Sequence, residues 1–126
     1  MPALHLVDPN TSPFDLGRYR IVVTSYNYVV AEHKRIAKFV EDMESYRQGK
    51  NSVVPKRPTV CLLSGVWKLP GAKPIGRYLV LDEADAIKDR HSRAYAAIKE
   101  LRESCVCCLP ITGSPLDGTW ADVFAQ

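Results

Sequence analysis

The sequence predicts an α/β fold built on a parallel sheet, and three observations carry that prediction. Tyr78-Leu79-Val80-Leu81 is a short run rich in Leu and Val, the composition of a parallel strand covered on both faces. It ends in a tight acidic cluster, Asp82-Glu83-Ala84-Asp85, and in open α/β sheets ligand chemistry gathers at the carboxyl ends of strands. A second apolar run, Cys105-Val106-Cys107-Cys108-Leu109-Pro110-Ile111, follows an amphipathic segment, so strands and helices alternate. That order implies parallel strands joined by right-handed crossovers.

Taken from the amino end, residues 1–17 carry Pro2, Pro9, Asn10, Ser12, Pro13 and Gly17 and read as an irregular lead-in. Residues 18–126 form the domain. Its first strand is expected at about Arg20 to Thr24, short and β-branched. A helix follows from about Tyr26 to Arg47. Val29, Val30, Ile36, Ala37, Val40 and Met43 recur at helical spacing, which leaves Glu32, Lys34, Arg35, Lys38 and Glu41 mainly for solvent. Gly49 stops this helix, because a left-handed residue just past a helix end is inexpensive only for glycine.

Pro55, Pro58, Pro70 and Pro74, with Gly65, Gly71 and Gly76, break residues 48–76, within which Val60-Cys61-Leu62-Leu63 reads as a short helix or a peripheral strand and Trp67 as a packing residue. After the acidic cluster, Ser92 is a good N-cap for a helix reaching about Glu103, with Tyr95, Ile98 and Leu101 on its buried face. A final helical turn is expected near Gly118, turning Trp120, Val123 and Phe124 inward.

Composition limits the functional classes. With 126 residues, 46% of them hydrophobic, the chain has room for one ordinary soluble domain. No apolar run reaches the length of about eighteen residues that a membrane helix needs, and the amino end lacks the basic leader and apolar core of a signal peptide. A net charge of +3 permits contact with nucleic acid without arguing for it; Arg47, Lys50, Lys56 and Arg57 read first as a solvated linker. The four cysteines offer no Cys-x-x-Cys pair and no histidine pair, so no structural zinc site is expected. Buried, reduced thiols in a nuclear or cytosolic setting are the reading instead.

The motifs carry more. Leu81-Asp82-Glu83-Ala84-Asp85 followed by Ile87-Lys88, and further on Ile111-Thr112-Gly113-Ser114-Pro115-Leu116, resemble the first motor lobe of Swi/Snf-type ATPases. Upstream, Tyr19-Arg20-Ile21-Val22-Val23-Thr24-Ser25-Tyr26 resembles that family's Ile-Val-Leu-Thr-Thr-Tyr strand, and the three motifs stand in the family's order. The resemblance spans roughly residues 18–126 and implies the back half of a RecA-like lobe. It implies ATP and Mg²⁺ as cofactors, with Asp82 the ligand of a Mg²⁺-bound water and Glu83 positioning the hydrolytic water. Thr112, Gly113, Ser114 and Pro115 would couple nucleotide state to DNA contact. Thr24 and Ser25 would touch the DNA backbone, and ordinary capping of the following helix is an equal reading of both. The implied partners are DNA or a nucleosome, together with a missing lobe or partner chain, in the nucleus.

The sequence also departs from the family. No Gly-x-x-x-x-Gly-Lys-Ser/Thr run occurs in it, so the loop that cradles nucleotide phosphates is missing. Asp85 stands where the family usually has histidine, and Asp117-Gly118 where it has Gln-Asn. Two readings follow: a fragment of a DNA-dependent ATPase, truncated or degenerate and inactive by itself, or a non-catalytic DNA- or protein-interaction piece. The resemblance further implies an unpaired apolar edge strand and a marginally stable chain.

Overall fold

The computed structural model describes residues 4–64, 76–87 and 89–111. Among these residues four strands and three α-helices alternate: β1 (Leu4–Leu6), α1 (Pro13–Leu16), β2 (Ile21–Val23), α2 (Tyr26–Arg47), β3 (Gly76–Asp82), a 3₁₀ turn (Ala84–Ile87), α3 (Arg93–Glu103) and β4 (Cys105–Ile111). The strands form two separate parallel pairs. β1 lies beside β2, with Leu4 opposite Ile21 and Leu6 opposite Val23. β3 lies beside β4, from Gly76 opposite Cys105 to Asp82 opposite Ile111. The result is a small α/β unit of short parallel two-stranded sheets with flanking helices.

Local chemistry explains the helices. At α2, Ser25 is extended and its hydroxyl accepts the Tyr28 N–H at 3.1 Å, satisfying one of the orphan donors of the first turn. The far end closes through Gly49 at φ +76°: the Gly49 N–H donates to Tyr46 O and the Lys50 N–H to Ser45 O, both at 3.0 Å. That is the paired bonding of a left-handed glycine stop. At α3, the Ser92 hydroxyl accepts the Tyr95 N–H at 3.0 Å.

The lead-in is more ordered than its prolines suggest. β1 extends through the Val7 N–H, which donates to Val23 O at 2.9 Å, and Ser12 and Asp15 cap α1 reciprocally around Pro13 at its first position. Val60-Cys61-Leu62-Leu63 forms neither a helix nor a strand; it is a buried turn.

The core lies between the helices and one face of the sheets, around Val29, Ile36, Leu63, Leu81, Ile98 and Leu101. Inward-facing Val22, Leu79 and Cys108 pack against it. The opposite face is open among the described residues, contrary to the expectation of a strand covered on both sides: Tyr78 is 62% exposed, and Leu6, Ile21, Val80, Leu109 and Ile111 share that exposure. Val40 was expected in the core and is exposed. A helix of 22 residues runs about 33 Å, whereas a seven-residue strand reaches only about 23 Å, so the distal part of α2 overruns the sheet.

Candidate functional site at the carboxyl end of β3

β3 delivers Asp82 to its carboxyl end, where Asp82 and Glu83 are both exposed. The apolar residues around them fix this position. Leu81 before the pair is buried, and Ala84 and Ile87 after it are 0% and 1% exposed, so the chain is pinned on both sides while the carboxylates turn outward. The turn is made by Glu83 itself at φ +50°, the only left-handed residue other than glycine among the described residues. Left-handed backbone costs a side-chain-bearing residue about 1–2 kcal/mol, and such strain gathers at functional sites. The Glu83 N–H donates to Asp82 Oδ1 at 3.0 Å, a bond that ties the exposed aspartate side chain to the turn.

A tyrosine brings a second element to this end. The Tyr26 hydroxyl donates to the Asp82 carbonyl oxygen at 2.6 Å. Tyr26 opens α2 directly after β2, so the carboxyl ends of β2 and β3 lie at the same side of the molecule. Thr24 and Ser25 therefore stand at the acidic end, in two different environments. Ser25 Oγ caps α2, while Thr24 Oγ1 is buried without a hydrogen-bond partner and lines a cleft between β2 and β3. β4 ends at Ile111, the register partner of Asp82. Thr112, Gly113, Ser114 and Pro115 lie outside the described residues, as do Trp67, Lys88, Asp117 and the turn expected near Gly118.

Glu32, like Val40, lies where sequence reasoning does not put it. It was assigned to solvent and is 0% exposed. Its Oε1 accepts the Cys61 and Leu63 N–H groups, both at 3.1 Å, and its Oε2 accepts the Leu62 N–H at 3.3 Å and the Cys61 thiol at 3.2 Å. One carboxylate thus satisfies three consecutive backbone donors of the buried turn. The signal was present in the spacing: Glu32 is three residues after Val29 and four before Ile36, on the same buried stripe. Burial, with the Glu32 charge next, pushes the Cys61 thiol up to about 12, and burial pushes Cys108 up to about 11. Both therefore remain neutral thiols. Among the described residues, no cluster of three His, Cys, Asp or Glu side chains could hold a metal ion, and no helix is long and apolar enough to cross a membrane.

Comparison of the chain with protein-family models, with curated proteins and with solved structures gives no match. What the fold and site define is a small α/β unit with two exposed carboxylates on a strained turn at the end of a parallel strand.

Proposed function

We propose that the chain is the carboxyl-side part of a RecA-like ATPase lobe of the Swi/Snf type, in which Asp82 and Glu83 serve a Mg²⁺-bound nucleotide. The supporting observation is the exposed acidic pair at the end of β3, with Glu83 held at φ +50° although nothing in the core requires a carboxylate there. Mg²⁺ keeps several waters and takes one or two carboxylates plus phosphate oxygens, so Asp82 acting through a water fits it without a three-ligand cluster. Glu83 would accept a hydrogen bond from the water that attacks the γ-phosphate. Ser25, exposed at the acidic end, would meet the DNA backbone, whereas the buried Thr24 hydroxyl would not, and Thr112 to Pro115 would couple that contact to the nucleotide. In this reading the bound metal supplies charge neutralisation, and the chain's own residues supply position. The partners are DNA or a nucleosome and a complementary lobe, in the nucleus.

A second reading, a non-catalytic interaction piece, is favoured by the absence of a Gly-x-x-x-x-Gly-Lys-Ser/Thr run in the 126 residues and by the open apolar sheet face. Titration with a fluorescent ATP analogue and Mg²⁺ separates the two. The lysine contact and the amide hydrogen bonds of the phosphate-cradling loop are missing, and a loss of about 4 kcal/mol among them moves a micromolar affinity to the order of millimolar. The motor reading expects weak, saturable binding that Asp82→Ala weakens further. Identical titrations for the two proteins would overturn it.

A further inference from the structure

We infer that the cleft between β2 and β3 is a docking slot for an extended strand of a partner polypeptide, which enters parallel to both walls and joins the two sheets into one of five strands. Four observations carry this. Among the described residues the two sheets are not hydrogen-bonded to each other, yet β2 and β3 face one another across a cavity of about 650 Å³. One wall is the consecutive run from Arg20 to Tyr26, the other the run from Tyr78 to Asp82, and Val29, Ile98 and Leu101 form the floor. The strand portions of these walls, Ile21–Val23 and Tyr78–Asp82, are extended backbone of the kind an added strand pairs with. A five-residue strand spans about 16 Å. Inserted here, it would give each wall a ladder, the main-chain recognition by which sheet edges capture peptides.

Polarity and composition specify the occupant. The bond from Tyr26 to the Asp82 carbonyl places the carboxyl ends of both walls together, so a strand running in that same direction continues the parallel pairing of both sheets. The floor is apolar, and the charged wall residues are Arg20, where the β2 wall begins, and Asp82, where the β3 wall ends. A β-branched strand with an acidic residue at its amino end and a basic one at its carboxyl end complements the slot. Thr24 Oγ1, buried without a partner on the cleft wall, is a polar atom that an incoming backbone amide would satisfy. The chain's remaining sequence offers no such segment: residues 65–75 include two prolines and two glycines, and residues 112–126 contain no β-branched run.

The test uses the full chain and the probe peptide acetyl-Asp-Val-Ile-Val-Thr-Val-Lys-amide. In a parallel sheet, alternate residues of a strand direct both their N–H and C=O groups to one neighbour, and the intervening residues direct theirs to the other. N-methylation at odd positions therefore disables one wall, and at even positions the other. The expected result is saturable binding that each methylated set weakens by at least about tenfold, the equivalent of one or two net hydrogen bonds. Hydrogen exchange should slow at both Arg20–Thr24 and Tyr78–Asp82. Four results would overturn the inference. They are no binding at millimolar peptide, weakening by one methylated set alone, wall amides already protected in the dilute free chain, and protection that grows with protein concentration without peptide.

Discussion

Replacing Glu32 with alanine removes all four hydrogen bonds that hold the buried turn at Cys61, Leu62 and Leu63. Three of the donors are backbone N–H groups of residues at most 4% exposed, and the surrounding core supplies no other acceptor for them among the described bonds. A buried donor left unsatisfied costs about 1–3 kcal/mol, so three give roughly 3–9 kcal/mol. Entry of a water into the vacated space and the better helix propensity of alanine offset part of this. A net loss of about 4 kcal/mol is a large fraction of the roughly 5–15 kcal/mol that stabilises a small domain. Glu32→Gln keeps one acceptor oxygen but turns an amide N–H₂ toward donors, and should cost about 2 kcal/mol. Urea unfolding followed by far-ultraviolet circular dichroism measures both. If Glu32→Ala unfolds within about 0.5 kcal/mol of the parent, the size of a typical surface substitution, the carboxylate does not organise this turn and the reasoning fails.

Two further perturbations test separate parts of the structure. His33 faces Arg93 and Glu100 of α3, and desolvation, with Arg93 next, holds its pKa below the usual histidine value while Glu100 acts the other way. The unfolded chain then binds the proton first, so stability is full above about pH 6.5 and falls as pH drops below it. The melting temperature should fall from pH 7.5 to 5.5, and fall less in His33→Gln; parallel slopes for the two proteins would refute this. Glu83→Gly should raise the urea midpoint, since relief of about 1–2 kcal/mol of left-handed strain exceeds the added chain entropy of about 0.5–1 kcal/mol. Glu83→Val should lower the midpoint, and the opposite order would mean that the turn is not strained.

Local signals wrote α2 and α3 into the sequence. Ser25, Gly49 and Ser92 act on their own turns, and the apolar spacing of Tyr95, Ile98 and Leu101 needs no distant partner to be read. β1 escaped notice because three residues between Pro2 and Pro9 acquire strand geometry only by pairing with β2, a non-local event. The turn at Val60 to Leu63 was ambiguous for a related reason. Its composition suits any buried element, and its conformation is set by a carboxylate 29 residues upstream. Glu32 was misassigned because residue polarity was given more weight than its place on the stripe. In the site itself, Asp82 and Glu83 were legible from an apolar run that ends in carboxylates. The placing of the carboxyl end of β2 beside that of β3 was not, because the bond that marks it links a tyrosine hydroxyl to a carbonyl 56 residues away.

Paramagnetic broadening by Mn²⁺·ATP, read on the backbone amides of the full chain, tests most directly whether the acidic end of β3 is a metal–nucleotide site. Mn²⁺ takes the oxygen ligands that Mg²⁺ takes and reports its own location even at millimolar affinity. The account predicts selective broadening of the amides from Leu81 to Ala84 and around Ser25, with Gly76 and Cys105 at the opposite end unaffected, and loss of the effect in Asp82→Ala. Uniform broadening, or an unchanged pattern in that variant, would contradict it.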